Sequence, residues 1–453
     1  MTGAPGTGPG EIWDAPLAHG PLDATVSVPG SKSLTNRFLV LAALTDGPVT
    51  IRGGLTSRDA ALMIAALDAL GIGVDTTDPD AWLVTPGQIE GGAHVECGLA
   101  GTVMRFVPPL VLLADGAVSF DGDAGARVRP MGPLLDALRA LGATVSDDGR
   151  GTLPFTVTPP SEFASHVDID ASASSQFVTG LLLVAPRLPG GLTVRHIGET
   201  LPSLPHIDMT CEALRDAGVR VDQPDERTWV VHPGAIHLSE VRVEPDLSNA
   251  GPFIAAALVA GGTVRIPGWP SKTTQPGALF PDLLTRMGGT CSLDGDVLSV
   301  TGTGVIAGID ADLGAAGEIT PTIAALCALA DGPSELTGIG HLRFHETDRL
   351  AAIAAEVDRV GGHCLASDDS LKFGGMPASG LRPAIMETYH DHRMATFAAI
   401  LGLAVPGLRV RDVATTAKTM PDFPLLWAGM LGAGTVGAGT VGAGTVGAET
   451  PRT

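Results

Sequence analysis

Between Val28 and Arg37 the chain reads VPGSKSLTNR. Serine hydroxyls, a lysine and an arginine gathered around a glycine are the parts of an anion seat. The segment is not a P-loop, because Ser31 stands where that motif requires glycine before the lysine. Seven further polar clusters interrupt an otherwise apolar chain. In GLAGTVMRF, Gly101 and Thr102 would offer bare backbone N–H groups at a helix start, a natural place for an anion. ARVRP supplies Arg127 and Arg129, and DASASSQF supplies Ser174, Ser175 and Gln176, uncharged donors suited to a phosphate or a polyol. AGEITPTIAAL sets Glu318 ahead of an apolar helix. RFHETDRL contributes His345, Glu346 and Arg349, YHDHRMA contributes Arg393, and TTAKTMPDFP contributes Lys418.

Each cluster has an ordinary reading. Serine and threonine at helix starts are commonly caps, and E-T-D-R on a helix is commonly a solvated face. His390 and His392 lie two apart, which sends them to opposite sides of a strand, and His345–Glu346 lacks the H-E-x-x-H spacing of a zinc site. Taken together, in a chain only 17% charged, these cations and carboxylates point to a cleft between domains that binds more than one anionic group.

The composition narrows the class. A net charge of −21 argues against a nucleic-acid binder and makes local cationic clusters informative. Hydrophobic residues form 44% of 453, enough for two large domains or several small ones. The cysteines Cys97, Cys211, Cys291, Cys327 and Cys364 form no C-x-x-C pair, which fits buried thiols in a reduced, cytoplasmic protein. The first residues lack the basic and apolar regions of a signal peptide, and no apolar run approaches the ~20 residues of a membrane span.

The elements that must position these groups follow a repeat. An apolar helix, a glycine turn and a β-branched strand recur six times, with the turns at Gly47, Gly116, Gly191, Gly262, Gly332 and Gly407, a period of roughly 70 residues. After five of the six comes a second leucine-bearing helix that ends in glycine, as in LDALGIGVD and LDALRALGATV. Six such α/β units predict two domains of three. From Gly432 to Thr453 the pentad GAGTV occurs three times, and this Gly-rich stretch reads as a disordered tail.

PGSKSLTNR, GLAGTVMRF, DASASSQF, HETDRL, DHRMA and AKTMPDF, in this order, resemble the motif set of the EPSP synthase family, the 3-phosphoshikimate 1-carboxyvinyltransferases. The resemblance runs from Trp13 to Trp427. It implies an α/β fold of two domains, each of three βαβαββ units around a pseudo-threefold, the inside-out α/β barrel of enolpyruvyl transferases. The first domain would comprise residues 13–30 and 245–428, and the second residues 31–244. The implied reaction moves the enolpyruvyl group of phosphoenolpyruvate to the 5-hydroxyl of shikimate 3-phosphate and releases phosphate, on the route to chorismate and aromatic amino acids. It needs no cofactor or metal, and the expected partners are these two small molecules, with no nucleic acid or membrane and the chain a monomer.

The resemblance also implies roles. Lys32, Ser33, Arg37, Ser174, Ser175, Gln176, Ser203, Glu318, His341 and His345 would contact shikimate 3-phosphate. Lys32, Gly101, Arg129, Gln176, Arg349, Arg393 and Lys418 would hold phosphoenolpyruvate. Lys32, Glu318, Glu346 and Lys418 would be catalytic, with Glu318 the base for the hydroxyl and Glu346 and Lys418 near C3. The chain departs from the common pattern at Glu318 (commonly Asp), His341 (Asn), His345 (Lys), His206 (Tyr) and Phe106 (Pro). The family's inhibitor glyphosate would find the bare Gly101 in the donor site. Two alternatives are a UDP-N-acetylglucosamine 1-carboxyvinyltransferase and a non-catalytic anion-binding repeat scaffold. The first usually carries a K-N pair, whereas Lys32 is followed by Ser33. The second would gain nothing from Glu318 and Glu346.

Overall fold

The helix–glycine–strand pattern becomes twelve α-helices among the described residues, two for each unit. The computed structural model describes residues 7–375, 378–432 and 435–437. The helices are α1 (Lys32–Ala43), α2 (Arg58–Ala69), α3 (Gly101–Phe106), α4 (Gly132–Ala140), α5 (Gln176–Val184), α6 (Leu204–Asp216), α7 (Leu247–Ala260), α8 (Phe280–Arg286), α9 (Thr320–Leu329), α10 (Arg349–Arg359), α11 (His392–Gly402) and α12 (Phe423–Leu431). The glycines read as caps behave as such. Gly71 after α2 (φ 83°) and Gly142 after α4 (φ 102°) take the left-handed conformation that closes a helix without a Cβ penalty. The glycines after α6, α8 and α10 do the same.

Each unit owns a small sheet. Strand Glu240–Arg242 runs parallel to Val49–Arg52, which is followed across the sheet by the antiparallel strands Ala81–Thr85 and Gly73–Asp75. The same order of one parallel and two antiparallel pairings recurs around Val118–Asp121, around Leu192–His196, around Gly262–Pro267 and around Ser334–Thr337. A parallel pair needs a crossover, and α3, α5, α9 and α11 supply it. The sixth sheet is smaller: Ile385–Glu387 lies parallel to Arg409–Arg411, and the N-terminal strand Ile12–Asp14 closes it.

Buried apolar side chains fall into two clusters, one running from Leu34 to Val243, the other from Trp13 to Val28 and again from Leu247 to Met430. These are the cores of two domains. Helices α5, α7 and α9 are buried nearly all round, as expected for apolar helices at the centre of a core.

The chain crosses between the cores twice, and the crossings lie side by side. Strand Leu22–Ser27 belongs to one core, but the helix after it, α1, belongs to the other; Glu240–Arg242 and α7 make the reverse exchange. Ser31 N donates to Glu244 O (2.7 Å), and Asp246 N to Pro29 O (2.9 Å). Gly30 sits at this seam, where any Cβ would collide with the carbonyl of Gly53.

Part of the predicted tail falls within the description. Thr435–Gly437 forms a strand parallel to Thr25–Ser27. A β-branched pair beside an open strand edge can add to the sheet despite its Gly-rich setting. The remaining pentads lie outside the described residues.

Candidate active site

Six helix starts converge on one cleft between the cores, whose open volume is about 1180 Å³. Lys32 and Ser33 begin α1, Gly101 and Thr102 begin α3, and Gln176 begins α5 behind Ser174 and Ser175. From the facing domain, Asp246 caps α7, Glu318 precedes α9, and His392 and Arg393 begin α11. The unsatisfied N–H groups and partial positive charge at these helix ends suit anions. Among the described lining residues, six cations (Lys32, Arg105, Arg129, Arg349, Arg393, Lys418) face three carboxylates (Asp246, Glu318, Glu346). The cleft is therefore cationic inside a strongly acidic chain.

The structure brings together nearly every residue expected there: Lys32, Ser33, Gly101, Arg129, Ser174, Ser175, Gln176, Ser203, Glu318, His341, His345, Glu346, Arg349, Arg393 and Lys418 all line the cleft. Arg37 is not among the lining side chains. It is 1% exposed, and its guanidinium donates to Thr210 Oγ1 (2.8 Å), Ser33 O (2.9 Å) and His206 O (2.7 Å). Arg127 also points elsewhere, to an exposed pair with Asp121.

Two carboxylates define two ends of the site. At one, Glu318 Oε2 lies 3.2 Å from His206 Nε2 and 3.7 Å from Arg393, while Ser248 Oγ donates to Oε1. Burial pushes the Glu318 pKa up, but His206, Arg393 and the Ser248 hydrogen bond outweigh it and hold the carboxyl well below its ordinary range. Glu318 is thus ionised and able to take a proton. At the other end, Glu346 accepts from Lys418 Nζ (2.5 Å) and Arg349 Nη2 (2.8 Å). Burial again opposes ionisation, and Lys418 and Arg349 overcome it.

Arg349 is fixed before any ligand arrives. Asp391, fully buried, grips its Nε at 2.7 Å and Nη2 at 3.1 Å. Burial alone would lower the Arg349 pKa, but Asp391 and Glu346 raise it above the usual value. Arg349 Nη1 also donates to His345 Nδ1 (3.1 Å). That bond fixes the tautomer: Nδ1 accepts, so Nε2 carries the proton. Desolvation and the Arg349 charge hold the His345 pKa well down, and desolvation brings His341 to about 4, so both are neutral donors or acceptors at pH 7.

Strain marks the same rim. Ser203 (φ 54°), Tyr389 (φ 55°) and His390 (φ 57°) are left-handed without being glycine, a conformation that costs about 1–3 kcal/mol each where it persists at such sites. The first sets the start of α6 against the facing domain through Ser203 N to Gly314 O (3.2 Å). The other two turn the chain into Asp391.

Several lining residues carry features that the sequence did not disclose. Arg105 lies one turn beyond Gly101 on the same face of α3 and is 2% exposed. It makes two long bonds to carbonyls and its Nε has no partner. Burial and repulsion from Arg129 hold its pKa well below the ordinary value. Asp246 carried a legible signal, an acid just before the LSN start of a helix. One of its oxygens caps α7 at Asn249 N (3.0 Å) and the other caps α1 at Lys32 N (3.1 Å). Thr102 receives a 2.6 Å bond from Asn36 Nδ2 that ties α1 to α3. His392, beside Arg393 in DHR, is 4% exposed and neither ring nitrogen makes a hydrogen bond, with Nδ1 3.6 Å from Asp391.

A family model described as EPSP synthase (3-phosphoshikimate 1-carboxyvinyltransferase) matches residues 17–426. The chain belongs to that family. It is 54% identical over 436 residues to the 3-phosphoshikimate 1-carboxyvinyltransferase of Bifidobacterium longum (strain DJO10A), covering 93% of this chain and 98% of that one. It is 52% identical over 435 residues to the enzyme of the same name from Kocuria rhizophila, covering 93% and 97%. Its fold resembles that of an EPSP synthase from Acinetobacter baumannii (TM-score 0.76, 22% identity, 92% of this chain and 97% of that one). It is equally like the enolpyruvyl transferase NikO from Streptomyces tendae (TM-score 0.75, 21% identity, 94% and 98%). Both likenesses bear out the two-domain α/β fold.

Proposed function

We infer that this chain transfers the enolpyruvyl group of phosphoenolpyruvate to the 5-hydroxyl of shikimate 3-phosphate and releases phosphate. The observation that carries the reading, beside membership of the family, is a cationic cleft with an ionised carboxylate at each end, one set among hydroxyls and histidines and the other among lysine and arginine. A binding scaffold would need the cations but not the carboxylates.

The acceptor lies against Lys32, Ser33, Ser174, Ser175, Gln176 and Ser203 from one domain and Glu318, His341 and His345 from the other. The donor lies against Lys32, Gly101, Arg129, Gln176, Arg349, Arg393 and Lys418. Arg37 serves the acceptor half from behind, through Ser33 and His206. The acceptor oxygen attacks C2 of the donor while its proton goes to Glu318. C3 gains a proton from Lys418, which Glu346 orients. In the second step C3 returns a proton to that pair, the bond from C2 to the phosphate oxygen breaks, and phosphate leaves. General acid–base help at each end is worth about 10²–10⁴-fold. The cations let two anionic substrates approach each other.

We place the domain boundaries at 30/31 and 244/245, between the two cores, and take the chain to act as a cytoplasmic monomer, since both walls of the cleft come from one chain. No helix among the described residues is long and apolar enough to cross a membrane.

The test is acceptor dependence. Purified protein should release phosphate from phosphoenolpyruvate with shikimate 3-phosphate and not with UDP-N-acetylglucosamine. Release with the nucleotide sugar alone would overturn the reading.

A further inference from the structure

The contact between Glu318 and His206 joins two domains. Glu318 precedes α9 in one core, whereas His206 is in the first turn of α6 in the other. Across that seam His206 Nε2 lies 3.2 Å from Glu318 Oε2. An ionised carboxylate only accepts, so Nε2 is the protonated nitrogen.

The histidine is itself held. Its N–H donates to Ser203 O (3.0 Å), and its carbonyl accepts from Arg37 Nη2 (2.7 Å) and Thr210 Oγ1 (3.0 Å). Two more bonds pin α6 to the facing domain: Ser203 N to Gly314 O (3.2 Å), and Thr274 Oγ1 to Glu212 Oε2 (3.1 Å). A buried arginine, a left-handed serine and a cross-domain bond therefore converge on the backbone that carries one imidazole.

We propose that His206 is the positioning residue for Glu318: by donating to one carboxylate oxygen from the opposite domain, it sets the acceptor base only when the two domains meet. The proposal rests on the function assigned above and adds the group that orients the base. The free lone pairs of Glu318 are then aimed by two donors, Ser248 from its own domain and His206 from the other. Separation of the domains removes one donor and leaves the carboxylate free to turn, so the base is complete only in the closed cleft. Other groups also act on Glu318. They are Arg393 on α11, Asp246 ahead of α7, Arg37 on α1 and Arg349 on α10, with His341 packed against Gly317 beside it. Substitution of His206 removes none of them, so a change in acid titration can be assigned to the histidine.

Full-length wild type, His206→Ala, His206→Gln, Glu318→Gln and the double variant His206→Ala/Glu318→Gln are assayed with phosphoenolpyruvate and shikimate 3-phosphate. Loss of the bond to a charged acceptor should cut kcat about tenfold or more in His206→Ala, with KM for phosphoenolpyruvate little changed. His206→Gln keeps a donor and should recover much of kcat. The acid limb of the kcat profile should move to higher pH in His206→Ala, because Glu318 loses a neighbour that favours its ionised form. In the Glu318→Gln background, His206→Ala should cost little more. Matching thermal unfolding curves exclude a folding defect, and where His206→Ala unfolds early, His206→Gln and the double variant decide. Wild-type kcat with an unmoved acid limb would overturn the proposal. So would a rise in KM for shikimate 3-phosphate alone, which would make His206 a direct ligand contact. Failure of wild type to turn over would instead strike the assigned function.

Discussion

Glu318 has to be ionised to act as a base, and its surroundings make it so: Ser248 and His206 donate to it and Arg393 stands 3.7 Å away. Glu318→Gln keeps the shape and cannot take the proton. It should lower kcat by about 10²–10⁴-fold while KM values change far less; near-normal turnover would put the base elsewhere. Gly101 makes a second argument at this scale. A Cβ there would sit 3.2 Å from both terminal nitrogens of Arg129 and 3.3 Å from Arg105 Nη1, tighter than ordinary contact. Gly101→Ala should therefore displace one of the two guanidinium groups and raise the KM for phosphoenolpyruvate, leaving that for shikimate 3-phosphate nearly unchanged. It should also weaken glyphosate, if the inhibitor occupies the donor site. Steady-state kinetics with each substrate varied in turn will show whether the effect is confined to the donor.

At the scale of elements, one carboxylate serves two helix starts: it caps α7, and at α1 it adds to the Ser31 cap. Asp246 satisfies the starts of both α1 and α7 at the double crossing. Losing a cap costs about 1 kcal/mol, and about 1 kcal/mol moves the Tm of a domain of 150–250 residues by about 2–4 °C. Asp246→Ala should thus lower Tm by several degrees in differential scanning calorimetry, and Asp246→Asn, which keeps one acceptor, by less; an unchanged Tm in the alanine variant would show that the caps contribute little. The same elements show what a sequence can disclose. Glycines after leucine-bearing helices, and β-branched runs after glycine turns, were legible because their cause is local: backbone sterics and hydrophobic spacing. The ordered motifs gave much of the cleft lining, though not Asp246 or Gln275. Three features were not legible. The resemblance implied a ligand contact for Arg37, whereas its direction, behind the cleft wall, depends on Thr210 and His206, far along the chain. Arg105 and His392 were hidden because burial that leaves the Arg105 Nε and the His392 ring nitrogens without hydrogen bonds is a property of packing between elements. The strand at Thr435–Gly437 was missed because its partner edge lies at the other end of the sequence.

For the whole molecule, the neutral histidines tie stability to pH. His196 and His392 are 2% and 4% exposed, and burial lowers the pKa of each; His341 and His345 in the cleft wall are lowered too. In the unfolded chain each would protonate near pH 6.5. Below that pH the unfolded state binds more protons than the native state, so stability falls as pH falls from 7 toward 5, by up to about 1.4 kcal/mol per pH unit for each fully titrating group. The depressed carboxylates Glu318 and Glu346 contribute an unchanging stabilisation across that window, which is lost only as pH falls through and below the ordinary glutamate range. Unfolding of the ligand-free protein should show Tm declining from pH 7 to pH 5, with a shallower slope in His392→Gln. A flat Tm over that range would contradict the neutral assignment.

The central claim is that one closed cleft joins a carboxyvinyl donor to a hydroxyl acceptor and frees phosphate. Phosphorus NMR of the two substrates with the protein follows both phosphorus fates at once. The account predicts that the phosphoenolpyruvate signal falls as inorganic phosphate rises in equal amount, while the shikimate 3-phosphate signal gives way to that of a new phosphomonoester. Phosphate that appears without a new phosphomonoester, or substrates that bind and persist, would contradict it.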